Sequence, residues 1–416
     1  MKKTLIALAT LAAATGAMAQ STVTLFGGAD LNVRSVTSGT NKFSGMAQDG
    51  IYSSRFGVMG TEDLGGGLKA GFHFEGGMNP DVGTSAKFDF QRKSTIGLAG
   101  GFGEVRLGRD YTPLFTVAGI ADPFGTNGVG SSYNLANAVV SSTATGATAG
   151  GTFRTAQAAS KSGADAASTV LAGTAWADVN AVRANNSVAY YSPSFSGFTV
   201  SGMYSFGTEN TNTDKDVGTM TSIKLAYANG PVSVAFANQV TKGGLTGAAA
   251  VAAAYALPAS TGVCATGSAA GTGAFDGLCL VTATAAVQPT EDQKWTTNFL
   301  AGSYDLGVAK LSAGYKTDKT TEVTGTLKST ILGVTAPMGA ATLKASYVAR
   351  KLGSAKVGNQ IALGALYDLS KRTTVYAAYS VLTNEAGYGM NVGSAAASDF
   401  TGVKSKGFEA GVKHSF

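Results

Sequence analysis

The chain has 416 residues and a formal net charge of +6, with 57 glycines and only 13% charged residues. Its mean hydropathy is +0.12. About a quarter of the residues of a soluble domain are charged, so this composition argues against an ordinary soluble protein. The basic residues form no concentrated stripe, which argues against a nucleic-acid-binding surface.

The N-terminus has the pattern of a secretory signal peptide. Two lysines precede an apolar run over residues 5–14, and the segment ends in Ala17-Met18-Ala19. The run is too short to span a bilayer as a helix. We therefore predict a cleaved signal peptide over residues 1–19 and a single exported domain over residues 20–416.

The rest of the chain repeatedly alternates apolar and polar residues with a period of two, which is typical of strands with unlike faces. No apolar run approaches the ~18 residues that a membrane-spanning helix needs. The alternation predicts strands over residues 23–34, 53–62, 68–76, 88–100, 103–108, 186–191, 198–206, 220–228, 232–241, 296–306, 308–316, 328–336, 341–349, 356–369, 373–383 and 407–416.

The connections between these strands fall into two classes. Those after even-numbered strands are short turns, whereas those after odd-numbered strands are mostly longer and variable, with residues 35–50 as the first polar loop. Outer-membrane barrels have short periplasmic turns and longer external loops. The sequence therefore predicts an all-β fold, a 16-stranded antiparallel transmembrane β-barrel, with fourteen or eighteen strands as the alternatives.

Lysines follow the same alternation. A lysine on the lipid-facing side costs ~2–4 kcal/mol at the bilayer midplane, so charged residues should face the lumen. The alternation separates four lysines from lipid-type neighbours such as Leu225, Leu311 and Leu343. We predict that they face a wet lumen lined by Lys, Ser, Thr and Gly: Lys224, Lys310, Lys316 and Lys344.

A long connection follows the fifth strand. Alternation stops after Gly108 and returns only near Ser187. Loops of this length inside a compact domain are usually functional or disordered. This one opens with aromatic, proline and glycine residues, a composition that favours packing against the rest of the protein. We predict that this third external loop folds inward and narrows the lumen. Residues 130–178 either plug the pore further or project outward.

The two cysteines, Cys264 and Cys279, lie in one Ala/Gly/Thr-rich loop. In an exported chain they are expected to form a disulfide; two free thiols are the alternative. Metal ligation and cofactors are not expected. An enzyme is disfavoured, because the only histidines, His73 and His414, have no candidate nucleophile beside them.

Several blocks resemble the general-diffusion porins of β-proteobacteria, the Gram-negative porin family. They are TLFGGAD, SSRFGVMGTEDLGGGLKAGFHFE, GLAGGFGEVRLGRDYTP, ADPFG, NSVAYYSPSFSGF, YDLSKRTTVYAAY and GFEAGVKHSF. The resemblance implies a homotrimer in the outer membrane, in contact with lipid and lipopolysaccharide, that passes ions and small hydrophilic solutes by passive diffusion. It also implies that the terminal Phe416 is read by the barrel assembly machinery.

The resemblance also implies a constriction. Asp122 would project from the inward loop opposite a basic wall, which would set a transverse field across the pore. The wall residues are Arg55, Lys93 and Arg106, with Asp110 beside them. Met59 and Ala189 stand where relatives often carry arginine, so the anion preference of this chain is left open. A substrate-specific channel for organic acids or sugars is the alternative function.

Overall fold

A computed structural model of the chain describes residues 22–83, 89–137, 182–206, 219–242, 255–256, 279–280, 294–320, 325–393 and 402–416. The predicted signal peptide, Cys264 and residues 138–178 of the long loop lie outside these ranges. The disulfide therefore stays a prediction. Within the described ranges, no helix is both long enough and apolar enough to cross a membrane.

The described chain is almost entirely β-structure. Its strands are β1 (Thr22–Ser38), β2 (Asn41–Gln48), β3 (Arg55–Gly65), β4 (Leu68–Gly77), β5 (Lys93–Gly100), β6 (Gly103–Tyr111), β7 (Arg183–Tyr191), β8 (Phe198–Ser205), β9 (Met220–Asn229), β10 (Val232–Lys242), β11 (Tyr255–Ala256), β12 (Cys279–Leu280), β13 (Lys294–Asp305), β14 (Lys310–Thr320), β15 (Leu327–Met338), β16 (Ala341–Leu352), β17 (Ala355–Asp368), β18 (Thr373–Asn384) and β19 (Lys404–Ser415).

The sheet closes on itself. Residues 28–38 of β1 pair with residues 405–415 of β19, and the other edge of β1 pairs with both β2 and β3. Since β2 and β3 together form one interrupted strand, the barrel has sixteen antiparallel strands, as predicted. The short strands β11 and β12 pair only with each other.

The first predicted loop is wrong. Residues 35–50 continue β1, turn at Gly39 and return as β2. The sequence concealed β2 because several residues on both of its faces are polar. The break between β2 and β3 is held by the Asp30 carboxylate, which accepts hydrogen bonds from the backbone N–H groups of Ile51 (2.7 Å) and Tyr52 (2.8 Å).

Apolar and charged side chains take opposite faces of the wall. Leu311 and Leu343 are 45% and 48% exposed on the outer surface, whereas Lys316 and Glu409 are 3% and 1% exposed inside the barrel. Hydrocarbon solvates neither charges nor unpaired backbone groups. The alternation of the sequence is therefore the consequence of a wall with lipid on one side.

The segment between β6 and β7 enters the barrel. We call residues 112–137 the inner loop. It contains helix α1 (Pro113–Ala121) and the single turn α2 (Tyr133–Ala136). Proline at the first position suits a helix start, and the Thr112 side chain accepts a hydrogen bond from the backbone N–H of Phe115 (3.1 Å).

Part of the lumen is an apolar core, not the wet surface predicted from the sequence. The inner loop contributes Leu114, Val117, Phe124, Val129 and Leu135, all buried. Inward-facing residues of the far wall complete the core: Phe299, Ile331, Val348, Ala362 and Leu382. Burial of apolar side chains is the main stabilising term in a fold, so this core fixes the loop against the wall.

Candidate functional site

Hydrogen bonds fix the inner loop along the far wall. The backbone N–H of Leu114 donates to Ser222 Oγ of β9 (3.3 Å), and Ser312 Oγ of β14 donates to the Ala121 carbonyl (3.0 Å). Further round the barrel, Arg350 Nη1 of β16 donates to the Leu135 carbonyl (2.8 Å). The loop thus lies against β9 and the strands that follow it, and the inner face of β3–β7 is left opposite.

A buried ion pair holds the middle of the loop where the barrel closes. Arg34 Nε of β1 and Glu409 Oε2 of β19 lie 2.9 Å apart, and both side chains are nearly inaccessible. The other oxygen of Glu409 accepts a hydrogen bond from the backbone N–H of Val129 (3.1 Å). The first strand, the last strand and the loop therefore meet at one carboxylate.

Asp122 organises the inner loop from within. Its carboxylate accepts hydrogen bonds from the backbone N–H groups of Phe124 (2.9 Å), Thr126 (3.1 Å) and Ser132 (2.9 Å), and from the Ser132 hydroxyl (2.8 Å). The residue is 4% exposed. Burial raises the pKa of Asp122, and the donated hydrogen bonds oppose that rise. The expectation that Asp122 projects into the pore is therefore wrong.

The surface of the inner loop that faces away from the wall carries no charge in its described residues. Helix α1 buries one side against the strands and leaves the opposite side accessible. The accessible residues of the loop are all uncharged, and they include Phe115, Thr116, Gly119, Gly125 and Asn127. The described residues of the inner loop thus supply no acidic side for the expected transverse field.

The opposite wall carries two clusters of charge, of which the first surrounds Glu75 of β4. Its Oε1 atom lies 2.7 Å from Arg92 Nε and 3.4 Å from Arg55 Nη1. The Tyr111 hydroxyl accepts hydrogen bonds from Arg92 Nη2 (2.8 Å) and Arg183 Nη2 (2.7 Å). The Arg183 guanidinium lies over the Tyr111 ring, 4.3 Å from its centroid.

The second cluster surrounds Asp110 of β6. Lys93 Nζ and Arg106 Nη1 lie 3.1 Å and 3.0 Å from its two carboxylate oxygens. Arg106 also makes a bidentate contact with Glu104 at 2.6 Å and 2.8 Å. The structure therefore brings two of the predicted wall cations, Lys93 and Arg106, to Asp110, whereas Arg55 lies in the neighbouring cluster.

Acids and bases in these clusters differ in accessibility. The side chains of Glu75 and Asp110 are only 6% and 3% exposed, whereas those of Arg55 and Arg106 are 21% and 26% exposed. Of the described acids in the two clusters, only Glu104 is comparably exposed. The two clusters together hold five bases and three acids, so this wall carries a net positive charge.

Comparisons with known proteins agree with this architecture. The Gram-negative porin family matches residues 4–387. The chain belongs to the Gram-negative porin family. It forms a channel for passive diffusion in the bacterial outer membrane, as predicted.

The porin has relatives of similar length. Outer membrane porin protein 32 of Delftia acidovorans is 34% identical over 429 aligned residues, which cover 100% of both chains. An outer membrane porin protein of Bordetella pertussis is 30% identical, covering 93% of this chain and 95% of that one. An anion-selective porin from Comamonas acidovorans superposes with a TM-score of 0.68 at 29% identity, covering 95% of this chain and 100% of that one.

The two positions where this porin lacks arginine have different surroundings. Met59 is 40% exposed and pairs across the strands with His73 of β4. Ala189 of β7 is 1% exposed and packs in a small apolar cluster with Met203 and Met220. Only Met59 has an accessible side chain that could be replaced by a longer one.

The predicted lumen lysines are distributed along the far wall. Lys224 Nζ donates to Thr116 Oγ1 of α1 (2.9 Å), and Lys316 Nζ lies 3.0 Å from Asp318 Oδ1. Lys344 lies near Asp122, whereas Lys310 is exposed at the start of β14. The first three surround the inner loop instead of lining the gap opposite it.

Arg92 and Arg183 of the porin are wall residues that the sequence pattern does not identify. Arg92 lies one residue before β5, and Arg183 is the first residue of β7 after the long connection. The predicted strand over residues 88–100 gives Arg92 the face opposite to that of Lys93, but β5 begins only at Lys93, and the strand predicted from residue 186 begins at Arg183. The clustered Arg-Lys pair at 92–93 was the available signal.

Glycines on the far wall make room for the inner loop. A Cβ atom at Gly333 would lie 2.4 Å from Pro123 Cγ, and one at Gly364 would lie 2.7 Å from Phe124 Cε1. We expect Gly333→Ala to displace the inner loop and change the single-channel conductance, because a 2.4 Å contact forces one of the two groups to move. Gly202→Ala is the control, since a Cβ there meets nothing within 4 Å. Equal conductance of both variants would contradict this role.

Proposed function

We propose that this porin passes anions in preference to cations through the gap between the inner loop and the inner face of β3–β7. The observation that carries the proposal is the layering of charge on that face, where Glu75 and Asp110 are buried beneath the more accessible Arg55 and Arg106, and bases outnumber acids although Glu104 is exposed. The uncharged surface of the described inner loop supports it. A structural relative with 29% identity is described as anion-selective.

The size of the effect follows from Coulomb's law. A positive unit charge on the wall, about 6 Å from a permeating ion in water, changes the energy of that ion by roughly 0.7 kcal/mol. The interaction is attractive for an anion and repulsive for a cation. Rings and walls of charge are a general device for ion selection in pores. Salt screens these interactions, with a Debye length of about 10 Å at 0.1 M. The preference should therefore be largest at low ionic strength.

The direct test is the reversal potential of the reconstituted porin under a potassium chloride gradient in a planar bilayer. We expect its sign to report chloride as the more permeant ion and its magnitude to fall as the mean salt concentration rises. A reversal potential of the opposite sign would contradict the proposal, and it would leave the passive-diffusion channel itself intact.

Met59 offers a gain-of-charge prediction. Met59→Arg should increase the anion preference, because it adds a positive charge at an accessible position on the face that carries Arg55. Met338→Arg is the matched control, since Met338 is 64% exposed at the end of β15 beside a short turn. If both variants shift the reversal potential equally, the charge at residue 59 is not acting locally.

Ala189→Arg is a less informative variant. Relatives often carry arginine at this position, but Ala189 is packed against Met203 and Met220. Overpacking a closed cluster costs roughly 1–3 kcal/mol, so we expect a loss of stability in this variant. Met59→Arg is the preferred test.

We further propose that the porin assembles as a homotrimer and has no catalytic activity. The family resemblance supports the trimer, which the mass of the detergent-solubilised protein would test. The Phe416 backbone pairs with Gly27 in both directions (3.1 and 3.2 Å) where the barrel closes, and its ring is 54% exposed on the outside. Recognition of this outward ring by the assembly machinery stays a prediction.

A further inference from the structure

A small apolar patch lies on the inner face of the charged wall. Phe26 of β1 is the partner of Gly57 on β3, and Met59 of β3 is the partner of His73 on β4. The rings of Phe26 and His73 are in edge contact, with centroids 5.1 Å apart at an interplanar angle of 66°. Met59 shares its side of β3 with Arg55. We call Phe26, Met59 and His73 the lumen patch.

Gly57 makes room for the Phe26 ring on the wall. A Cβ atom at residue 57 would lie 2.4 Å from Phe26 Cζ and 2.7 Å from Phe26 Cε1. The ring therefore lies across the backbone of β3, in the space that a side chain at residue 57 would take. This position brings the ring to His73 on the next strand.

The lumen patch is accessible from the open lumen. Met59 is 40% exposed, the His73 side chain is 26% exposed, and Phe26 is partly exposed. The inner loop packs against β9 and the strands that follow it, so the patch faces the gap through which solutes pass. Apolar surface in contact with water is stabilised when an apolar group covers it.

A guanidinium group lies at the edge of the lumen patch. Phe26, Gly57 and Glu75 form one row across β1, β3 and β4. Arg55 Nη1 lies 3.4 Å from Glu75 Oε1, so the guanidinium reaches the row that contains Phe26. Arg55 Nε donates to the Ser53 carbonyl (2.9 Å), whereas Nη2 has no hydrogen-bond partner within the described part of the chain. A donor is thus available next to an apolar surface.

From these observations we infer that the lumen patch binds aromatic monocarboxylates as they pass through the channel, with the ring on Phe26 and Met59 and the carboxylate on Arg55. Aromatic rings favour offset or edge contacts with other rings. The thioether of methionine makes favourable contacts with ring edges. A guanidinium forms charge-assisted hydrogen bonds with a carboxylate. The apolar and charged parts of such a solute therefore each have a partner on the wall.

The inference rests on the proposed passage of anions through the gap, and it adds the class of organic anion that the wall retains. Met59 is the residue that makes the difference. An arginine at this position would replace the apolar surface beside Phe26 by a second cation. The wall would then attract small inorganic anions more strongly and would lose its contact with the ring of an aromatic acid.

The test measures how sodium benzoate blocks the potassium chloride current through single channels of the porin in a planar bilayer. Sodium acetate is the comparison, and both acids are ionised at neutral pH. We expect half-maximal block by benzoate at a concentration at least about fivefold below that for acetate. Benzamide, which has the ring without the charge, should be at least about fivefold less potent than benzoate. Equal potency of benzoate with either compound would overturn the inference.

Two substitutions remove the lumen patch, and two matched ones leave it intact. Met59→Gln keeps the length of the side chain but makes it polar, and Phe26→Thr removes the ring. Each should bring the half-blocking concentrations of benzoate and acetate to within about twofold of each other. Phe26→Tyr keeps the ring, and Met338→Gln repeats the methionine change in an exposed position beside a periplasmic turn. Both of these variants should block like the wild type.

The potassium chloride current, recorded for each variant before the acids are added, shows whether its barrel is intact. If Phe26→Thr forms no channel, Met59→Gln decides the test. A preference for benzoate that persists in Met59→Gln would overturn the inference.

The reversal potential of the wild type separates this inference from the proposed ion preference. Chloride preference with equal block by benzoate and acetate would overturn the lumen patch as a binding site and leave the ion preference intact. Cation preference with stronger block by benzoate would overturn the ion preference alone.

Discussion

Replacing Arg55 and Lys93 together by glutamine will reduce the anion preference of this porin at least about threefold at low salt. Each lost charge removes roughly 0.7 kcal/mol of attraction for an anion at about 6 Å. The pair is chosen because every acid keeps a strong partner, Glu75 at 2.7 Å from Arg92 and Asp110 at 3.0 Å from Arg106. The reversal potential in planar bilayers measures the effect.

A matched control removes one lysine and one arginine elsewhere. Lys371→Gln with Arg372→Gln changes the net charge equally, in an exposed turn between β17 and β18. The reversal potential of this control should equal that of the wild type. If the two double variants behave alike, selectivity arises from overall charge and the layered wall is not its origin.

Replacing Asp122 by alanine should loosen the inner loop and make the channel conductance larger and more variable. The substitution removes the acceptor of four hydrogen bonds and leaves backbone N–H groups buried without partners. Each buried unsatisfied group costs about 1–3 kcal/mol. We expect the loop to lose its fixed position while the barrel, held by its own ladders, remains closed.

Asp305→Ala is the control for this prediction. Asp305 also accepts a hydrogen bond from a backbone N–H, that of Gly307 (2.8 Å), but in an exposed turn where water can replace it. Its conductance should match the wild type. If Asp122→Ala conducts like Asp305→Ala, the apolar core alone positions the loop, and the buried carboxylate is dispensable.

The strands of this porin could be predicted because the membrane imposes a strict rule. Lipid excludes charge from one face, so residues such as Leu311 and Lys316 reveal their sides through parity alone. The rule weakens beyond the apolar band. This is why the alternation does not predict β2, which carries Lys42 and Ser44 on its outward face.

The interior was harder to predict, because its partners are distant in sequence. Nothing local indicates that Gly333 leaves space for Pro123, or that Glu409 receives a hydrogen bond from Val129. The charge of Asp122 suggested a pore-facing role, whereas the short turns around it supply enough donors to bury it. Charge predicts exposure only where no such donors converge.

The core between the inner loop and the far wall has a consequence for the size limit of transported solutes. The diameter of an empty β-barrel grows with its number of strands. In this porin, however, one side of the open lumen is formed by the inner loop and its apolar core. Replacing inner-loop side chains such as Phe115 or Ile120 by smaller ones should widen the open lumen by a few ångströms without altering the strands of the barrel. The inner loop, which sets the size limit, can therefore change in evolution independently of the barrel strands.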